Sequence, residues 1–138
     1  MLIPEAYVAD LQVRLGLYRR LADLHEQADL DGFAAELHDR FGRAPEDVRH
    51  LLDVVSIKLL CRKANVASVD AGPKGAVIGF RGDTVANPAA LVQWITGQGA
   101  LAKLRPDMQL VVMRSWESPE ERLKGTRQLM QTLVKLAA

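Results

Sequence analysis

A lysine lies between two glycines in the stretch Asp70–Phe80, DAGPKGAVIGF, directly before an apolar run. Such a loop either cradles a phosphate or turns the chain between two strands. A phosphate-binding loop needs a Ser or Thr after the lysine and a following helix that supplies free N–H groups. Here Gly75 follows Lys74, and the next residues alternate as in a strand. The stretch therefore predicts the tip of a β-hairpin, in which Gly72 and Gly75 are free to adopt positive φ.

The residues before this hairpin predict three helices. Asp10 is a suitable N-cap for the first helix, and Asp29 or Asp31 for the second. Pro45 suits the first turn of the third helix, which is apolar most of the way round and is therefore expected to be central. The apolar stripe of the first helix is predicted to comprise Leu11, Leu15, Leu17, Tyr18, Leu21, Ala22 and Leu24.

The residues after the hairpin predict a short helix, a second hairpin and a final helix. Asn87 and Pro88 open the short helix, and a Pro106-Asp107 turn joins two short strands. Ser118 begins the final helix as its cap, with Pro119 in the first turn. The predicted fold class is therefore α+β: three N-terminal helices, then a β-hairpin, a helix, a β-hairpin and a C-terminal helix. A small antiparallel sheet packs against the helices.

Length and composition narrow the class of protein. The 138 residues are expected to form a single domain, residues 1–138, because this length supports one hydrophobic core. A net charge of +1 favours no general attraction to nucleic acid or membranes. The one cysteine cannot form an intramolecular disulfide, which favours a reducing compartment. Because neither a signal peptide nor a long apolar run is found, a cytoplasmic location without a membrane partner is expected.

Recognisable catalytic motifs are missing from the sequence. His25, His38 and His50 lack the spacing that directs two imidazoles to one metal ion. Cys61 lies in an apolar helical segment without a recognisable base, where a thiol is usually a core residue. Neither a nucleophile elbow nor a dinucleotide fingerprint occurs. The residues therefore indicate a binding or regulatory module, not an enzyme, with no catalytic, cofactor or metal site.

One pair of acidic residues is a candidate site. Glu36 and Asp39 are three positions apart on the second predicted helix, so their carboxylates lie side by side on its surface. Catalysis by such a pair needs an enclosing cleft, and a hard cation needs further oxygen ligands. A solvated helix face and a contact with a basic partner both remain open.

Several short motifs follow one another in a distinctive order along the chain. They are Ile3-Pro4-Glu5, Tyr7-Val8, Arg14-Leu15, Leu17-Tyr18, Asp39-Arg40-Phe41-Gly42 and Leu51-Leu52-Asp53, with Lys58-Leu59 after them. In this order they resemble the C-terminal domain of the bacterial transcription-repair coupling factor (TRCF, Mfd) family. The resemblance implies a domain of a large ATP-driven DNA translocase, which removes stalled RNA polymerase from damaged DNA and recruits the damage sensor UvrA for nucleotide excision repair.

The resemblance also implies a role for this domain. It is expected to be an autoinhibitory clamp that docks on the UvrB-like module of the same protein and covers the UvrA-binding surface. Glu36 and Asp39 match acidic residues of the family's docking helix that face arginines, so the implied partner-binding residues are Glu36, Asp39 and Arg40. The domain is expected to hold no cofactor, whereas ATP and magnesium belong to the parent's motor domains. The alternative is an accessory domain that contacts nucleic acid directly.

Overall fold

The computed structural model describes residues 2–138, and these form two compact units. One unit ends at Leu59, and the other runs from Leu60 to Ala138. The helices are α1 (Leu11–Ala22), α2 (Gln27–Phe41), α3 (Glu46–Lys63), α4 (Pro88–Gln98) and α5 (Pro119–Ala137). The strands are β1 (Val66–Gly72), β2 (Gly75–Phe80), β3 (Ala102–Leu104) and β4 (Leu110–Met113). This order confirms the predicted α+β class; the single domain of a larger protein stays a prediction.

The buried face of α1 is narrower than the predicted stripe. Asp10 caps the helix as expected, because its side chain accepts a hydrogen bond from the Val13 N–H at 3.0 Å. Leu17 and Leu21 are buried, but Leu11 and Leu15 are 56% and 41% exposed. At 3.6 residues per turn, these two leucines lie roughly a quarter of a turn or more from the buried direction. The predicted stripe therefore extends beyond the buried face of α1.

The second helix begins before the predicted caps. Gln27 is its first residue, and Glu26 takes the extended N-cap conformation without a side-chain hydrogen bond to the helix. Asp29 instead lies in the first turn, where its negative charge is favourable near the positive end of the helix dipole. The proposed caps at Asp29 and Asp31 were therefore wrong. The helix ends as predicted at Gly42, whose N–H donates to the His38 carbonyl at 2.9 Å.

The two tyrosines fix the segment before α1 within the first unit. The Tyr7 hydroxyl lies 2.7 Å from the carbonyl oxygen of Gly42 and 3.2 Å from that of Leu37, at the end of α2. The Tyr18 hydroxyl accepts a hydrogen bond from the Ile3 N–H. The core of this unit consists of Ile3, Val8, Leu17, Leu21, Leu30, Phe33, Leu37, Val48 and Leu59.

The stretch between the two glycines is a hairpin turn, as predicted. Pro73-Lys74 connects β1 to β2, and Gly72 and Gly75 face each other across the two antiparallel strands. Of these glycines, only Gly75 has a positive φ, at +127°. The carbonyls of Pro73 and Lys74 accept hydrogen bonds at 2.9 Å from the N–H groups of Trp116 and Arg114. The turn is therefore tied to the chain that follows β4.

The four strands form one antiparallel sheet in the order β1-β2-β4-β3. Its buried face carries alternate residues of the two central strands, namely Ala76, Ile78, Phe80, Leu110 and Val112. In the same unit, α4 and α5 contact each other, α5 contacts β1, and α4 contacts β3. Asn87 and Ser118 cap α4 and α5 as predicted, accepting from the N–H groups of Ala90 and Glu121. Within residues 2–138, none of the helices is long and apolar enough for a membrane span.

A close contact between α5 and the indole of Trp116 yields a stability prediction. An ideal Cβ built on Gly125 would lie 2.3 Å from Cε2 of Trp116, which is only 8% exposed. We expect Gly125→Ala to lower the free energy of unfolding by about 1–3 kcal/mol, because the indole must shift in a packed core. Gly32→Ala in α2 is the control: no atom lies within 4 Å of its Cβ position, and Ala favours a helix. Urea denaturation that ranks both variants equally stable would contradict this packing.

Candidate docking site

The exposed side of α2 carries the residues proposed from the sequence. The helix buries Leu30, Phe33 and Leu37, which recur at the spacing of one helical face. Asp39 and Arg40 therefore point outward, and Glu36 lies at the edge of the buried face with 35% of its side chain exposed. The three residues proposed from the sequence, together with Arg20 of α1, are called the docking cluster below.

Glu36 is paired within the chain. The guanidinium of Arg20 makes a bidentate ion pair with it, with distances of 2.6 Å from Nη1 to Oε2 and 2.7 Å from Nη2 to Oε1. The Nη1 of Arg40, one turn further along α2, donates to the same Oε2 at 3.0 Å. Two arginines thus hold one carboxylate through charge-assisted hydrogen bonds, and the bidentate pair with Arg20 has the geometry that makes such bonds strongest.

Two aromatic rings support the arginines of this pair. The Cζ of Arg20 lies 5.0 Å from the ring centroid of Phe33, and that of Arg40 lies 4.8 Å from the ring centroid of Phe41. Cations over aromatic faces at these distances are attracted by the ring quadrupole. Both guanidinium groups are therefore positioned by an aromatic neighbour as well as by the Glu36 carboxylate.

Asp39 differs from Glu36 in having no such partner. It is exposed, and within residues 2–138 the structure gives its carboxylate neither a hydrogen bond nor an ion pair. Of the two carboxylates singled out from the sequence, only Asp39 is free to meet a cation from outside the chain. The i,i+4 spacing of Glu36 and Arg40 was a sequence signal for their pairing. No local pattern signals Arg20, which is 16 positions from Glu36.

The pairing makes Glu36 more acidic than an ordinary glutamate and yields a pH prediction. Hydrogen bonds from Arg20 and then from Arg40 lower the pKa of the Glu36 carboxyl from 4.5 to about 2. Because this pKa is lower in the folded than in the unfolded chain, the stabilisation is fully present above pH 4.5 and is lost as the pH falls toward about 2. We expect a carboxyl-detected NMR titration to give a midpoint near 2 for Glu36. In Arg20→Gln the midpoint should rise, and an ordinary midpoint in the wild type would contradict the pairing.

Other candidate chemistry is not assembled in the described part of the chain. Within residues 2–138, no three His, Cys, Asp or Glu side chains are grouped so as to hold a metal ion. His25 and His38 are exposed, and His50 lies 3.7 Å from Glu46 one turn away. Burial raises the pKa of the Cys61 thiol, which makes the nucleophilic thiolate scarcer.

Comparisons with known proteins agree with this fold. The profile of the TRCF domain family matches residues 1–91. The transcription-repair-coupling factor of Rickettsia conorii is 40% identical over 112 residues, which cover 81% of this chain and 10% of that protein. The transcription-repair-coupling factor of Escherichia coli K12 is 29% identical over 132 residues, which cover 96% of this chain and 12% of that protein. The chain thus spans about a tenth of the length of these relatives.

A solved structure shares the fold over nearly the whole chain. It is the crystal structure of the C-terminal domain of a transcription-repair coupling factor, with a TM-score of 0.77 and 19% identity. The alignment covers 99% of this chain and 88% of that one. Family profile and curated relatives lead to the same conclusion: the chain belongs to the TRCF domain family of the transcription-repair coupling factors.

Proposed function

We infer that this chain is the C-terminal regulatory domain of a transcription-repair coupling factor and that α2 docks on the UvrB-like module of the same protein. Docking masks the surface of that module that binds UvrA. The observation that carries this proposal is the exposed, unpaired carboxylate of Asp39 on α2, beside the paired Glu36. The resemblance described above supports it, because the matching acidic residues face arginines of the UvrB-like module.

The proposal also makes the chain part of a larger, multidomain protein. The parent protein is an ATP-dependent DNA translocase that removes stalled RNA polymerase and then recruits excision repair. Its motor domains precede this domain along the parent chain. This domain contributes regulation and no catalytic activity. Docking therefore keeps the UvrA-binding surface covered until the motor engages polymerase and DNA.

We call this docking contact between the domain and the UvrB-like module the latch. Its affinity is expected to be weak when the two are separate molecules. Exposed ion pairs contribute about 0.2–1 kcal/mol each. Within one chain, tethering gives an effective concentration on the order of millimolar, so a weak contact stays mostly closed. A very tight clamp would not open, because a ligand shifts an equilibrium only by its differential affinity for the two states. The docking cluster, with one free carboxylate, fits a contact of modest strength.

Titration calorimetry of this chain against the UvrB-like module of the same protein tests the proposal. We expect modest affinity that falls with added salt, because salt screens exposed charges. Asp39→Lys should weaken docking roughly tenfold or more, since an attraction to arginine becomes a repulsion. Combining it with Glu36→Lys should abolish docking.

The matched control reverses a charge elsewhere. Asp70 is an exposed and unpaired carboxylate on β1 among the described residues, so Asp70→Lys changes the net charge equally without touching α2. It should leave the affinity nearly unchanged. Docking that survives both changes on α2 would place the interface elsewhere, and steeply salt-dependent binding to DNA alone would favour the nucleic-acid alternative.

A further inference from the structure

The Glu36 carboxylate has little capacity left for a partner. A carboxylate offers about four acceptor positions. Arg20 occupies one on each oxygen of Glu36, and Arg40 takes a second on Oε2. An incoming arginine therefore cannot form a bidentate pair with Glu36 unless a guanidinium of this chain moves away.

The charge of the docking cluster also depends on this pairing. Two arginines and two carboxylates sum to zero, so the cluster offers a basic partner no net attraction beyond Asp39. If Arg20 left the cluster, Glu36 would keep only the bond from Arg40, and the local sum would become negative. A partner that presents arginines is favoured by the second arrangement and disfavoured by the first.

We propose that Arg20 is a built-in competitor that holds Glu36 away from the docking partner and thereby sets the strength of the latch. This inference rests on the proposed docking function. Arg20 carries this role more than Arg40 does, because its pairing with Glu36 is bidentate and shorter. Its side chain is 48% exposed, so water can replace the carboxylate when the guanidinium swings out.

We expect the competition to be reversible because the paired side chains of Arg20 and Glu36 are already 48% and 35% exposed to water. The described part of the chain gives the Arg20 guanidinium no hydrogen-bond partner besides Glu36, and the Phe33 ring 5.0 Å away is its other contact. Exchange of Arg20 for a partner arginine therefore replaces one ion pair by another of the same kind. The net gain on docking at Glu36 is small, so the latch stays weak enough to open.

Titration calorimetry of two arginine variants tests this inference. Arg20→Gln removes the competitor, and Arg19→Gln removes the same charge from the neighbouring exposed residue, which has no bond to Glu36. We expect Arg20→Gln to tighten docking on the UvrB-like module roughly fivefold, and Arg19→Gln to change it by roughly twofold or less. Adding Glu36→Gln to Arg20→Gln should remove the gain. Arg20→Lys, which keeps the charge but not the bidentate fork, should fall between wild type and Arg20→Gln.

The outcomes separate this inference from the function on which it rests. If the wild type docks and Arg20→Gln docks equally well or more weakly, the proposed competition is wrong but the latch is retained. An equal gain in affinity from Arg19→Gln would also overturn the competition, because the change in net charge alone would then explain the effect. Absence of docking by every variant would overturn both. Thermal melts of each variant confirm folding, and Arg20→Lys replaces Arg20→Gln if the latter unfolds.

Discussion

Replacing Gly75 with alanine is expected to lower the free energy of unfolding by about 3 kcal/mol or more. Gly75 has a φ of +127°, which L-residues with a side chain rarely adopt. An added Cβ would lie 2.0 Å from the Val112 carbonyl oxygen and 2.8 Å from the Arg114 nitrogen, and both are backbone atoms. Relief of this clash requires β2 and β4, the two central strands, to separate at the point where Gly75 pairs with Met113.

The neighbouring glycine of the same turn provides the control. Gly72 has no positive φ, and no atom lies within 4 Å of its Cβ position. Gly72→Ala should therefore leave stability unchanged or raise it by up to about 1 kcal/mol, because alanine restricts the unfolded chain. Urea denaturation followed by circular dichroism measures both variants. Equal stability of Gly72→Ala and Gly75→Ala would show that the hairpin does not approach β4 as closely as described.

Leu37→Ala is expected to destabilise the first unit by about 2–5 kcal/mol. Leu37 is 1% exposed, belongs to the core and lies on α2 directly after Glu36. Removing its side chain loses buried apolar surface and leaves a cavity under the docking cluster. Leu15→Ala deletes the same atoms from a side chain that is 41% exposed, and should change stability by about 0.5 kcal/mol or less.

Chemical denaturation of these two leucine variants also tests the corrected orientation of α1. A large loss for Leu15→Ala would mean that Leu15 is buried together with the rest of the predicted stripe. A small loss for Leu37→Ala would mean that the packing under α2 is loose. The expected difference of several-fold between two identical substitutions arises from burial alone.

Local signals predicted most of the elements. Asp10, Asn87 and Ser118 cap their helices as their sequence context indicates, and the Pro73-Lys74 turn lies between two alternating strands. Each of these features depends on side-chain and backbone groups a few residues apart. The unsupported predictions concern α1, where periodicity did not determine how much of the apolar stripe is buried, and α2, which begins at Gln27, before the proposed caps.

Long-range pairing could not be predicted in the same way. The second hairpin was expected, but placing β4 beside β2 requires contacts between residues 32 to 38 positions apart. The docking cluster has the same property. Glu36, Asp39 and Arg40 were found from one helix, whereas the partner that neutralises Glu36 most strongly is Arg20 on another helix. Its role depends on how two helices pack, which no short motif encodes.

The division of the chain into two units separates its intrinsic fluorophores. Both tyrosines, Tyr7 and Tyr18, belong to the unit that ends at Leu59, and both tryptophans, Trp94 and Trp116, belong to the other. Emission excited selectively in tryptophan therefore reports on the second unit, through Trp94 on α4 and Trp116, which packs against α5. Tyrosine emission reports on the unit that ends at Leu59, because hydrogen bonds tie both hydroxyls to the backbone of that unit. Unmodified protein thus carries a separate optical probe for each unit.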